Sequence, residues 1–276
     1  MIRSVALSAF GDEIATGLAD QIDILRSHQI RHIDLRTLGE GQPVLGASTD
    51  DACRLKEALR ASGLAVASLA SPIGKEPADV DPSQLERTLE RAIGLARVLG
   101  TPWIRVFGFY PPSGCGSWGE AALRALRRLV ALARDVGVTL LLENEQGTSA
   151  DTLERFHDVL ASVDDPHLQA VYDPANALQC GERDCLAGYE ALKPWIRQLH
   201  VKDIDRNGRH VLPGQGCAGW PEILAALARD GFSGVLSLEP HLTRAGRAGG
   251  FSGPELFAQA CAALQNLMAT ARLSPI

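Results

Sequence analysis

The chain has 276 residues, 46% of them hydrophobic and 22% charged with both signs mixed, which is the composition of a soluble globular protein with ample material for a core. A formal net charge of -6 and a pI near 5.7 give no electrostatic footprint for a phosphate backbone, so nucleic acid is not an expected partner. Six scattered cysteines without a CxxC pair read as reduced thiols; with no signal-like amino terminus and no run of 18 apolar residues, a cytoplasmic protein without membrane attachment is expected.

Eight β-rich runs alternate with helix-period segments. The first four strands are predicted at SVALSAF (4 to 10), HIDLRTL (32 to 38), AVASLAS (65 to 71) and WIRVFGFY (103 to 110). The second four are VTLLLENE (138 to 145), LQAVYDPA (168 to 175), RQLHVKDI (197 to 204) and GVLSLEPH (234 to 241). Between them, DPSQLERTLERAIGLARVLG, EAALRALRRLVALARDVG and GWPEILAALARDG carry apolar residues at three- and four-residue intervals and stop at Gly100, Gly137 and Gly231. The proline-rich SPIGKEPADVDP (71 to 82) falls where a strand-to-helix loop belongs, and no linker divides the chain. One domain, 1–276, is expected. An open doubly wound sheet would fit the same alternation, but no GxGxxG follows the first strand and no Walker loop is present, so the pattern predicts an α/β chain folded as a single (β/α)8 (TIM) barrel.

The last four strands each end on a side chain able to bind a metal: Glu143, Asp173, His200 and Glu239. Residues two apart on a strand share a face, so Glu143 brings Glu145 into the barrel, His200 brings Lys202, Glu239 brings His241, and Asp34 brings Arg36. Their alternate neighbours Leu142, Leu199, Val201 and Leu238 are apolar and face the helices. Taken singly, each acid reads equally well as a salt-bridge or capping residue. Together, three oxygen donors and one imidazole at a barrel's carboxyl end suit one divalent ion, Mn²⁺ or Mg²⁺ foremost, with Zn²⁺ or Co²⁺ also able to fit. Carboxylates from the fifth and eighth strands could flank a small ligand and move a proton at carbon, with the metal stabilising an enediolate.

At these residues the chain resembles the xylose isomerase-like barrel family, in its sugar phosphate isomerase/epimerase branch. The resemblance runs nearly end to end, through SAFGDEI, HIDLR, SPIGK, LGTPWIRVFGFY, LLLENE, VYDPAN, LHVKD, PGQG and LSLEPHL; the order and spacing of ENE, DPAN, HVKD and LEPHL are its specific part. It implies that Glu143, Asp173, His200 and Glu239 hold the metal, with Mn²⁺ favoured, and that Glu143 and Glu239 are the paired acid/base groups of a ketose epimerase. The histidine that such enzymes carry three residues after the metal-binding aspartate is here Asn176, a departure that bears on the reaction rather than the metal. Arg206 stands where they place an arginine, six residues after the ligand histidine.

Further candidates for substrate contact are Lys75, Arg105, Glu145, Asn176, Lys202, Arg206 and His241, each with a structural alternative: a solvated lysine at 75, an internal ion pair at Arg105, pairing with Glu145 for Lys202, a surface ion pair for Arg206. Trp103, Trp195 and Trp220 read as packing residues. Trp118 and Tyr110, beside the loop FYPPSGCGSWGE, are placed to roof a pocket, and that loop is the candidate lid. The expected function is a metal-dependent isomerase or epimerase of a small ketose, polyol or hydroxy-keto acid, phosphorylated or free. A dehydratase on the same barrel is the main alternative; a non-catalytic sugar-binding barrel and an endonuclease IV-like nuclease follow, the last opposed by acidity and by only seven histidines. The expected partner is a small carbohydrate, and the apolar last helix, LFAQACAALQNLMA, either serves a homo-oligomer interface or packs on the barrel.

Overall fold

The computed structural model describes residues 3–112, 119–244 and 249–275. Its strands are β1 (Arg3–Phe10), β2 (His32–Leu35), β3 (Ala65–Ala70), β4 (Trp103–Val106), β5 (Thr139–Glu143), β6 (Leu168–Tyr172), β7 (Ile196–Val201) and β8 (Val235–Leu238). All pair in parallel with their neighbours in sequence, and β8 returns to β1 from Ala6↔Val235 to Ala9↔Leu238, closing the barrel. The expected (β/α)8 barrel is therefore present and the open sheet is not. A short strand, Leu273–Pro275, adds to the start of β1.

The helices follow from local chemistry. In Pro82–Leu99, Asp81 caps the amino end by accepting from the Ser83 N–H at 3.1 Å, and Gly100 ends the helix at φ 84°, in the left-handed region where glycine carries no Cβ penalty. Its apolar stripe of Leu85, Leu89, Ala92, Ile93 and Ala96 is buried against the sheet. The last long helix, Pro254–Thr270, buries Phe257, Ala260, Cys261, Leu264 and Met268 in the same core, so its apolar run packs on the barrel. Truncating any one of these leucines to alanine should cost about 2–5 kcal/mol. Among the described residues no helix is long and apolar enough to cross a membrane.

Several strands end earlier than their sequence pattern suggests, and each stop has a physical cause. The run 103–110 ends at Val106 because the next amides leave the ladder: the Phe107 N–H donates to Ile73 O at 2.7 Å and the Phe109 N–H to Gly74 O at 2.9 Å. Gly74 is required there, since a Cβ would lie 2.1 Å from Phe107 O. The run 168–175 ends at Tyr172, where Asp173 caps the short helix Pro174–Gln179. The run 197–204 ends at Val201; Asp203–Ile204 instead pairs antiparallel with His210–Val211. The Asp203 carboxylate holds this excursion by accepting the N–H groups of Ile204, Gly214, Gly216 and Ala218 at 2.9–3.0 Å. The segments 32–38 and 234–241 likewise follow the barrel sheet only to Leu35 and Leu238. Of the expected lid, 113–118, including Trp118, lies outside the described residues.

Inside the barrel, Asp34 on β2 accepts four hydrogen bonds. Ser8 and Ser237 donate to Oδ2, each at 2.6 Å, and Ser68 and Gln198 donate to Oδ1 at 2.5 and 2.8 Å. These residues are buried, and Asp34, Gln198 and Ser237 each lie two positions before Arg36, His200 and Glu239. This polar layer is thus one step below the barrel mouth.

Candidate metal centre

The mouth gathers the four expected residues. Glu143 closes β5, His200 lies on β7, Glu239 follows β8, and Asp173 sits at the β6 exit. The backbone of Asp173 is clamped by Asn144, which accepts from its N–H at 2.8 Å and donates to its carbonyl at 2.9 Å. One ligand atom from each residue lies within 4.8 Å of all the others, and all four residues are buried. His200 Nδ1 faces both glutamates, 3.0 Å from Glu143 Oε1 and 3.3 Å from Glu239 Oε2.

Each carboxylate in this cluster stands beside a cation. Burial pushes Asp173 above its ordinary range, assisted by Glu143 and Glu239 and opposed by Lys202. Burial also works against ionised Glu143 and Glu239, yet His200 and Arg105 hold Glu143 at about 2, and Lys202, His241 and His200 hold Glu239 well below normal. Burial would depress His200, but the two glutamates outweigh it and raise it to about 10. Three enclosed atoms, Glu143 Oε2, Asp173 Oδ2 and His200 Nε2, have no hydrogen bond of good geometry, although Arg105 and Lys202 stand within ion-pair distance of the two oxygens. Buried polar atoms are rarely left so. Their donor set and spacing fit one divalent cation, with the imidazole releasing its proton on binding.

Cations surround the carboxylates. Lys202 Nζ lies 2.7 Å from Asp173 Oδ2 and 3.4 Å from Glu239 Oε2, so its pairing is with these two and not with Glu145. Arg105 Nη1 is 3.2 Å from Glu143 Oε2, its guanidinium packed over the rings of Phe10 and Phe107. Arg36 donates through Nη1 to Glu239 Oε1 at 2.7 Å and through Nε and Nη2 to the two oxygens of Asp12 at 2.9 Å. Glu13, Glu239 and His241 also approach closely enough to hold an ion. There, however, Arg36 lies 3.7 Å from Glu13, and Glu13 accepts from His241 N and Ser252 Oγ while contacting His241 Nδ1 at 2.5 Å. The guanidinium supplies positive charge there, so among the described residues the group of Glu143, Asp173, His200 and Glu239 is the candidate metal centre.

A cavity of about 270 Å³ opens onto this centre. Of the residues expected to meet substrate, Lys75, Arg105, Glu145, Asn176, Lys202 and His241 all line it. Lys75 pairs with Glu145 at 3.1 Å and sits over Phe107, 4.3 Å from its centroid. Burial lowers Lys75 and raises Glu145, each partly offset by the other. Asn176 donates to Asn144 O at 2.9 Å and to Glu143 Oε1 at 3.4 Å, anchoring one wall. Arg206 is not brought here: it is exposed at the tip of the hairpin and lines a separate depression that shares only Gln146 and Gln179 with this cavity. Sequence reasoning placed Arg36 on the inner face without assigning it a role, and it missed Asp12, Glu13 and His210. Arg36 had a signal in its two-residue spacing from Asp34, Asp12 and Glu13 lay unremarked within SAFGDEI, and His210 had none.

Residues 22–267 match the family model described as xylose isomerase-like TIM barrel, and the chain belongs to that family. It is 22% identical over 138 residues to the inosose dehydratase of Lacticaseibacillus casei, an alignment covering 44% of this chain and 46% of that enzyme; the chain thus spans about half the length of the curated relatives it matches. The D-psicose 3-epimerase of Clostridium cellulolyticum H10, solved with D-tagatose, superposes with a TM-score of 0.74 at 15% identity, covering 97% of this chain and 98% of the other. The IolI protein, solved with a zinc atom, superposes with a TM-score of 0.73 at 18% identity and the same coverage.

Proposed function

We propose that this member of the family is a divalent-metal-dependent enzyme that removes a proton beside the carbonyl of a small polyhydroxylated ketone and returns one to the neighbouring carbon, as an isomerase, or to the opposite face of the same carbon, as an epimerase. The observation that carries the reading is the convergence of Glu143, Asp173, His200 and Glu239, with unpartnered buried atoms, on a small polar cavity whose described lining includes one aromatic residue, Phe107. Such a lining suits a ligand covered in hydroxyls.

The four residues would hold the ion, which when bound supplies Lewis-acid stabilisation for the charge that develops on substrate oxygen. The donors fit Mn²⁺ or Mg²⁺, and Zn²⁺ or Co²⁺ as well; the zinc in the IolI protein supports zinc. Glu143 and Glu239 are the acid/base pair. Both are held ionised, so either can accept a proton from carbon, and His200 and the flanking cations fix their orientation. Lys202, Arg105 and Arg36 keep positive charge at the base of the cavity, where an anionic transition state gains most. Lys75, Glu145, Asn176 and His241 form the walls that orient the substrate. Arg206 would contribute only to a ligand long enough to reach beyond Gln146 and Gln179.

A dehydratase is the second reading, favoured by one feature. Lys202 is an ammonium held in its charged form by Asp173 and Glu239, and it could assist departure of a hydroxyl; inosose dehydratases among the relatives support it. Incubating Mn²⁺-loaded protein in D2O with D-tagatose, other ketoses and an inosose separates the readings. Deuterium incorporation with recovery of an isomer is the expected result, loss of water selects the dehydratase, and absence of exchange in any bound compound overturns both.

A further inference from the structure

The hairpin after β7 delivers one more imidazole to the cavity. His210 pairs with Ile204 in the two-residue ladder, and its turn is fixed at several points. The Asp205 N–H donates to Arg209 O at 2.9 Å, the Gly208 N–H donates to Asp205 O at 2.9 Å, and Asp205 Oδ1 accepts from the Asn207 and Arg209 amides at 2.8 and 3.0 Å. The base of the hairpin is held by the four amides that converge on Asp203. His210 therefore stands on a rigid support, and its side chain lines the cavity beside Lys202, Glu239 and His241, ring to ring with His241 at 5.3 Å.

Its hydrogen-bonding capacity is unused. Nδ1 is enclosed without a partner, and among the described residues nothing pairs with Nε2, which is not enclosed. Every other side chain with a strong donor on this wall is engaged: Lys202 by Asp173 and Glu239, His241 by Glu13. We infer that His210 is a substrate-contacting specificity residue, whose free ring nitrogen hydrogen-bonds a ligand hydroxyl on the Lys202–His241 wall and so selects polyhydroxylated ligands. The inference rests on the carbohydrate reading of the cavity and extends it to a residue outside the metal cluster. Burial, His241 and Lys202 lower the imidazole to about 4, against weaker pulls from Glu13 and Glu239, so at neutral pH the ring is uncharged and able both to donate and to accept. A neutral ring beside a wall of ion pairs distinguishes a hydroxyl from an anionic group.

The test is calorimetric binding of D-tagatose and of an inosose to the Mn²⁺-loaded protein, comparing wild type, His210→Phe and His210→Asn, with Mn²⁺ affinity and Tm measured for each. Loss of one hydrogen bond predicts about tenfold weaker binding in His210→Phe. His210→Asn, which keeps a donor and an acceptor, should stay within about threefold. Mn²⁺ affinity and Tm should hold in both. Wild-type affinity in His210→Phe overturns the assignment, as does equal loss in both variants accompanied by a fall in Tm. If the metal-loaded wild type binds neither compound, the carbohydrate reading fails and His210 loses its role with it.

Discussion

Two buried carboxylate clusters lie one layer apart in the same barrel, and they are finished differently. Around Asp34 both oxygens are filled by neutral donors from four strands, all within 2.8 Å, with no cation in the set. At the mouth, three carboxylates and an imidazole share cations yet leave three buried atoms without a good hydrogen bond. The lower carboxylate is fully bonded, with only Gln198 Oε1 beside it lacking a partner, while the upper set leaves several ligand atoms open. A satisfied buried acid ties strands together, whereas an unsatisfied set of buried donors is the arrangement the proposed ligand site requires.

The comparison breaks most visibly with charge-removing substitutions in each layer. Glu143→Gln or Glu239→Gln should lower turnover by about a thousandfold or more while circular dichroism and Tm stay near wild type, because the lost group acts on substrate. Asp34→Ala should do the reverse. It strands three serines and a glutamine in the core and should cost about 2–4 kcal/mol in urea unfolding, with Mn²⁺ still bound. An Asp34 variant that loses metal but keeps its stability would reverse the assignment of the layers.

Metal removal sharpens the contrast. Chelation should abolish activity, and Mn²⁺ at about a hundred times its Kd should stabilise the protein by about 2.7 kcal/mol, read as a rise in Tm. Glu239→Gln should shrink that rise; Asp34→Ala should leave it intact. Lys202→Met should lower turnover by about ten- to a hundredfold while leaving Mn²⁺ binding equal or tighter, since a competing cation is gone from Asp173 and Glu239.

The smallest expected effect is on pH dependence. His210 is lowered in the folded chain to about 4 from 6.5, so the unfolded chain takes up the proton first as pH falls. Its stabilising contribution is complete above pH 6.5 and is lost as pH drops toward 4. Wild type should lose slightly more Tm than His210→Asn across that interval, and identical acid limbs would argue against the shift.

Strand number, barrel closure and the four mouth residues were legible because period-two alternation survives in the sequence and each strand ends on a distinctive side chain. Strand ends were less legible. Phe107, Phe109 and Asp203 read as β continuation, and only their tertiary partners, Ile73, Gly74 and the 214–218 amides, take them out of the ladder. Glu13 and Arg36 meet Glu239 or His241 across more than 200 residues, a juxtaposition that closure of β8 on β1 creates and local pattern cannot encode. His210 sits in a hairpin with no periodicity to mark it. Of the two readings left open for the last helix, an interface or packing on the barrel, its buried stripe shows the packing: an apolar stripe records that a face is covered, but not by what.

Asp173 uses its two oxygens for different tasks. Oδ1 accepts from the Asn176 N–H at 3.0 Å and so anchors the short helix that leads to Gln179 on the cavity rim, while Oδ2 points into the cluster. Were Oδ2 to hold the proposed ion, exchanging it for one of different radius would act on this linkage as well as on the local charge. On the metal-binding reading the Gln179 rim would respond to which ion is held, and Asp173→Asn, which can keep the Oδ1 anchor while blunting the other arm, would uncouple the two.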